Sequence, residues 1–278
     1  MQAGSEDHKK LFCQNFIDTH LDYDPEQIVF PDLNEVELDR LRRIPFWQIA
    51  LKVERNAGRM VSAFAETIAD PDIKAAIALQ GEEEARHARL IEALIRHYEL
   101  PVEEPEATPL PADVSHAFTD FGFEECLDSF FAFGMFRLAR EARYLPESLF
   151  HLFDPILDEE ARHIVFFVNW ITYRQVQQGR AKWGRGLHAG WYYGRALLNG
   201  VKLALSGRGG GFTATGATTF VEDLTLPQFL SVTLAANAQR MSKFDDRLLE
   251  PKLMPKLAAI ALRTITLLPQ RQPAKQTA

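Results

Sequence analysis

The run EEEARH at residues 82–87 returns, nearly unchanged, as DEEARH at residues 158–163. On an α-helix, positions i and i+3 lie one turn apart on the same face. Glu84 with His87, and Glu160 with His163, can therefore aim at a common point. The residues around them say which point. Glu84 and His87 share a stripe with Ile77, Ile91 and Leu94, and Glu160 and His163 share one with Ile156, Ile164 and Phe167. Acids and histidines are thus placed where a core belongs. A buried carboxylate without a partner costs several kcal/mol, so such groups must be protonated, ion-paired or bound to metal. Four converging groups of these types point to metal. Glu82, Glu83 and Glu159, with Arg86 and Arg162, are expected to point more outward, so Glu83→Ala is expected to leave metal uptake nearly intact.

Working outward, apolar residues recur at helical spacing from Pro45 to Ala69 (Trp47, Leu51, Val61, Phe64, Ile68), and ADPD ends that pattern with a turn. A second helix is predicted from Ile73 to Tyr98. The four prolines of LPVEEPEATPLPAD then exclude helix and predict a long crossover. A phenylalanine-rich helix is predicted from Val114 to Glu141, and YLPES separates it from a fourth that carries the second acidic run, with Pro155 as a kink point. Two hairpins joined by a long crossover make a four-helix bundle of the one-crossover type.

The two hairpins also fix which further acids reach the same level. Glu54 lies about 15 residues before the first turn and Glu84 about 13 after it, a difference of roughly 3 Å at about 1.5 Å per residue. Its neighbours Ala50, Ala57 and Gly58 are small. The same count across the second hairpin sets Glu125 against Glu160. Glu124, on a wetter face with Asp120 and Asp128, is its rival, and Asp128 is a candidate to accept a hydrogen bond from a ligating imidazole or to replace a ligand. The candidate metal ligands are Glu54, Glu84, His87, Glu125, Glu160 and His163. The competing reading, exposed salt-bridged runs, leaves buried acids without counter-charge.

One Glu from each of two helices and a Glu-x-x-His from each of the other two resembles the ferritin-like di-iron or di-manganese carboxylate superfamily. The resemblance covers roughly Pro45 to Gln178. It implies an all-α, ferritin-like four-helix bundle holding two Fe ions, with Mn or a mixed Fe/Mn pair as variants. It also implies O2 activation: a non-haem di-iron oxidase or oxygenase that hydroxylates, desaturates or deformylates an apolar small-molecule substrate, with electrons from an external donor such as ferredoxin. The alternatives are a di-manganese catalase or peroxidase and a non-catalytic iron-binding or storage protein. A ribonucleotide reductase small subunit fits less well, because the first-helix ligand there is usually Asp and the radical tyrosine position is Ile91 here. Rubrerythrins need a cysteine-rich module, and storage ferritins are shorter and lack the second complete Glu-x-x-His. The phenylalanines of the third helix are core packing or, beside the metals, an apolar pocket.

Around residues 45–178 lie an N-terminal extension, 1–44, and a C-terminal helical extension, 179–278. The latter offers a segment around Trp191 to Leu205, a SGRGGG loop, helical patterns from Leu226 to Arg247 and Lys252 to Leu268, and a frayed tail after Gln270. The chain has 278 residues, 46% hydrophobic, enough for a sizeable core. The opening residues lack a signal-peptide core and no apolar run reaches spanning length, which predicts a cytoplasmic protein. Two cysteines, Cys13 and Cys126, cannot build a thiolate metal site.

The net charge of −7 hides an asymmetry, with 33 acids against 16 Lys and Arg through Tyr173, and 5 against 15 from Arg174 onward. The basic back half suits an acidic electron donor or an anionic membrane surface, and the segment from Lys252 to Arg271 reads as an interfacial helix or as one that covers the bundle. No stacking or base-reading motif argues for nucleic acid. Substrate and oligomeric state are not legible.

Overall fold

The computed structural model describes residues 1–205 and 214–267, and these are helical with no strand among them. In chain order the helices are α1 (Glu6–Asp18), α2 (Glu35–Arg42), α3 (Trp47–Ala65), α4 (Pro71–His97), α5 (Val114–Glu141), α6 (Glu147–Gln177), α7 (Lys182–Leu205), α8 (Ala214–Ala217), α9 (Leu226–Met241) and α10 (Leu253–Leu267). The SGRGGG segment and the tail after Gln270 lie outside the described residues.

Helices α3 and α4 pack along each other as a hairpin. Asp70 caps the start of α4 by accepting from the amides of Asp72 and Ile73, and Pro71 occupies the first turn, where its missing N–H costs nothing. The close approach of the pair depends on small residues. A Cβ on Gly58 would stand 3.0 Å from the backbone nitrogen of Ala85, and one on Gly81 would stand 2.9 Å from that of Ser62. These contacts lie within a turn of Glu54 and Glu84, so the glycines bring both acids to the same place.

The segment after α4 is the extended crossover that its prolines require. Glu99 adopts the left-handed conformation at φ 50°, Leu100 N–H closes onto Ile95 O at 3.0 Å, and the helix stops. The crossover is fastened to α3, since Arg55 donates to Glu104, Arg59 donates to Thr108 O at 2.9 Å, and Asn56 reaches Thr108 Oγ1 at 3.2 Å. Helix α5 ends in the same way, with Arg143 at φ 51° and Tyr144 N–H on Ala139 O. Pro155 sits inside α6 without ending it.

The apolar core comes in two clusters. One gathers Val61, Phe64, Ile73, Ile77, Phe118, Ile164 and Trp170, and the other Trp47, Leu51, Ile91, Leu94, Met135 and Phe153. Along α3 and α4 the break between them falls at Glu54 and at Glu84–His87.

The N-terminal residues, in which the sequence suggested no element, form α1 against α4 and α6, burying Phe12, Cys13 and Phe16. The C-terminal helices α7 and α9 lean on α5, and α10 crosses α9. Helix α7 begins at Lys182, earlier than the segment around Trp191 to Leu205 suggested by the sequence, and α9 stops at Met241 rather than Arg247.

Candidate metal centre

All six side chains singled out by the sequence converge. Ligand atoms of Glu54, Glu84, His87 and Glu160 lie within 4.8 Å of one another, and so do those of Glu84, Glu125 and His163. The separations have a pattern. His87 Nδ1 stands 3.4 Å from Glu54 Oε2, 3.4 Å from Glu160 Oε1 and 3.8 Å from Glu84 Oε2. His163 Nδ1 stands 3.2 Å from Glu84 Oε1 and 3.9 Å from both Glu125 Oε2 and Glu160 Oε2. Glu84 and Glu160 thus turn one oxygen to each histidine, whereas Glu54 faces only His87 and Glu125 only His163.

The imidazoles are held from behind by acids of the opposite repeat. His87 Nε2 donates to Glu159 Oε2 at 2.9 Å, and His163 Nε2 donates to Glu83 Oε2 at 2.9 Å. Arg86 pairs with Glu159 and Arg162 with Glu83, the latter at 2.8 Å. Each run therefore supplies two inward groups for its own side and a Glu–Arg pair that works on the other. These hydrogen bonds place a proton on Nε2 and turn Nδ1 toward the cluster, so that Nδ1 is the atom that would give up its proton to a metal. Both Nδ1 atoms are buried and have no hydrogen-bond partner.

This corrects the expected orientation of four residues. Glu83 and Glu159 are fully buried, and Arg86 and Arg162 nearly so; only Glu82 is exposed. The outward assignment assumed a helix with one wet face. Both runs instead lie on helices covered on a further side by α1 and the segment after it. Arg162 donates to Phe16 O and to Thr19 Oγ1 at 3.0 Å, His20 meets Glu83 Oε1 at 2.6 Å, and Tyr23 donates to Glu159 Oε2 at 3.1 Å. The guanidinium groups of Arg86 and Arg162 lie over the rings of Tyr23 and Phe16. The expectation that Glu83→Ala spares metal uptake falls with this, because Glu83 orients His163. Asp128 is not the acceptor for either imidazole: Glu83 and Glu159 fill that role and Asp128 is exposed. Glu124 is turned to Asn199 at 3.1 Å, which leaves Glu125 as the acid that α5 contributes.

Electrostatics separates the two sets. Burial raises the proton affinity of Glu83, but the hydrogen bond from His163 and the charge of Arg162 outweigh it and hold Glu83 well below the usual carboxylate range. Burial, reinforced by Glu160, Glu84 and Glu54, drives Glu125 well above that range, and burial also raises Glu84. Burial works against the charge on His163, yet Glu84 and Glu83 raise it to about 10. Glu84 and Glu125, without a metal cation of their own, are thereby shifted toward their protonated forms.

The cluster is sealed on one side and slightly open on another. Glu84 and both histidines are at most 1% exposed, while Glu54, Glu125 and Glu160 keep 12 to 17%. Near that side runs a groove of about 260 Å³ lined by Val53, Ala57, Met60, Leu110 and Phe121. Val53 and Ala57 flank Glu54 on α3, and Phe121 precedes Glu125 by one turn of α5. Of the phenylalanines read as core packing or as a pocket lining, Phe118, Phe123, Phe130 and Phe133 are core, and Phe121 lines the groove beside Ala117.

Phe16, Thr19, His20 and Tyr23 stand in a segment without a motif, and no pattern in the sequence pointed to them. Comparison of the chain with family models, with curated proteins and with solved structures returns no match.

Proposed function

We propose that residues 45–178 form a ferritin-like four-helix bundle holding two divalent metal ions, iron in the first place, and that the protein is an O2-dependent oxidase or oxygenase acting on an apolar small molecule. The observation that carries this reading is a charge imbalance. The supporting acids Glu83 and Glu159 are neutralised one for one by Arg162 and Arg86. The inner acids Glu54, Glu84, Glu125 and Glu160 have only two imidazoles beside them, both with Nδ1 turned inward, without a hydrogen-bond partner and able to offer its lone pair to a metal once deprotonated. Two divalent cations would neutralise the four carboxylates and take up both lone pairs, and a donor set of carboxylates and imidazoles suits iron and manganese.

In this reading Glu54, His87, Glu125 and His163, with Glu84 and Glu160 facing both histidines, would hold the two ions. A reduced iron pair so held supplies the capacity to activate dioxygen. The chain's own residues do the rest. Glu159 and Glu83 hold the imidazoles in one orientation, Arg86 and Arg162 pair with those acids, and the two apolar clusters exclude water above and below. The small groove along α3 and α5, whose Val53 and Ala57 neighbour Glu54 in the chain, is lined mainly by apolar residues and is the proposed entry for an apolar molecule. In this proposal the electrons come from a separate donor.

Metal analysis of the purified protein, followed by oxygen uptake on addition of a reductant, tests the proposal. About two iron ions per chain and reductant-dependent uptake are expected. Manganese with peroxide disproportionation and no such uptake would move the protein to the catalase class, and many ions per chain would make it a storage protein.

A further inference from the structure

Helix α7 carries an apolar face that nothing among the described residues covers. Trp183, Leu187, Trp191 and Leu198 are 73, 67, 68 and 62% exposed. Steps of four residues keep Trp183, Leu187 and Trp191 on one side of the helix, and Gly190 and Gly194 lie between them without a neighbour within reach of a side chain. The opposite side of α7 is the packed one. Tyr193 and Ala196 are buried, and the ring of Tyr192 stacks on Phe123 at 5.0 Å. The outward face is therefore a second apolar stripe, not the residue of a poorly seated helix.

Helix α10 repeats the arrangement. Met254 and Ala258 are buried, while Leu257, Ile260 and Leu267 are 47, 60 and 84% exposed. Single exposed apolar residues are ordinary, but two helices that each turn a row of them outward are not. Both helices also lack any Asp or Glu. Exposed Lys252, Lys256 and Arg263 stand beside the stripe of α10, and exposed Lys182 lies at the start of α7. This is the part of the chain in which basic residues outnumber acidic ones by 15 to 5.

We propose that α7 and α10 seat the protein on an anionic lipid surface. The chemistry is that of an interfacial helix: tryptophan rings prefer the headgroup boundary, leucine and isoleucine enter the acyl region, and lysine and arginine meet lipid phosphates. No helix among the described residues is long and apolar enough to cross a membrane, so the protein lies on the surface. An acidic protein partner would answer the charges but leave the two tryptophans unexplained. A second copy packed through the same stripes would answer the apolar residues but would bring like charges together. A lipid surface answers both. The inference does not depend on the metal reading, although a lipid-bound enzyme would sit where apolar substrates dissolve.

Co-sedimentation of the full chain, as purified with its metal, with phosphatidylcholine vesicles containing or lacking phosphatidylglycerol is the test. Binding to the anionic vesicles, little binding to phosphatidylcholine alone and release by salt are expected. The double variant Trp183→Ser, Trp191→Ser should bind about tenfold more weakly or worse, with unchanged helicity and metal content, since both side chains are exposed in the free protein. Wild-type protein that stays in solution with anionic vesicles overturns the proposal, as does a double variant that binds equally well. It is also overturned if wild-type protein is dimeric, the double variant is monomeric and neither binds vesicles, because the stripe is then a self-association surface.

Discussion

The two acidic runs use the same residues crosswise but are not covered alike. In α4, Glu83 braces His163 and is met from outside by His20; in α6, Glu159 braces His87 and is met by Tyr23. Glu84 is almost fully buried and takes a hydrogen bond from Gln80 at 3.2 Å, while Glu160 retains some exposure and takes one from Ser129 at 3.3 Å. The α4 acid is fixed inside a closed wall, and the α6 acid faces the more open side. Duplicate motifs thus build a nearly symmetric inner set, and the elements packed around them make one half tighter than the other.

The strongest way to break this comparison is to remove the shared acids. Glu84→Ala and Glu160→Ala should each lose nearly all stoichiometric metal by elemental analysis, because each acid faces both histidines. Retention of about one ion per chain in either variant would show that the two are not shared. The unshared acids give the next largest effect. Glu54→Ala and Glu125→Ala should each retain about one of two ions, and complete loss in both would mean that the two positions fill only together.

The supporting acids sharpen the symmetry. Glu83→Gln and Glu159→Gln should weaken metal binding by about 10- to 100-fold, as removal of an imidazole's acceptor does elsewhere, and by similar factors in competition titrations with a chelator. Glu82→Ala, at an exposed position, is the control and should change nothing. The covering residues differ in kind, and Tyr23→Phe should cost about 1 kcal/mol or less in urea denaturation, since it removes one neutral donor to an acid that keeps Arg86 and His87.

The smallest effect concerns the cysteines. Burial pushes the thiols of both Cys13 and Cys126 up to about 12, so neither forms thiolate near neutral pH and labelling becomes appreciable only as the pH approaches that value. A native-state labelling rate at neutral pH equal to that of the unfolded chain would contradict their placement.

Much of this centre was legible before any coordinates. The i, i+3 spacing and the apolar stripe fixed the inward direction of Glu84, His87, Glu160 and His163, and counting residues from two turns brought Glu54 and Glu125 to the same level. Counting works there because a helix has a constant rise and a hairpin fixes the origin. The same reasoning failed for Glu83 and Glu159, since it assigns a face to one helix against one core. It could not include α1, whose residues 6–18 carry few apolar side chains and a weak pattern, yet bury Phe12 and Phe16 against α6. Exposure of the α7 stripe was equally out of reach, because apolar residues at helical spacing predict a packed face, not which of two faces is packed.

The sequence by itself determined the four long helices between residues 45 and 178, their two hairpins, the crossover and the six inward groups, all of which follow from local spacing and from prolines that forbid helix. Only the tertiary structure decided that Glu83 and Glu159 serve each other's histidines, that residues 16–23 close the wall behind them, and that the outer faces of α7 and α10 stay bare. Those outcomes depend on what packs against each helix from a distance in the chain, and no local periodicity records it.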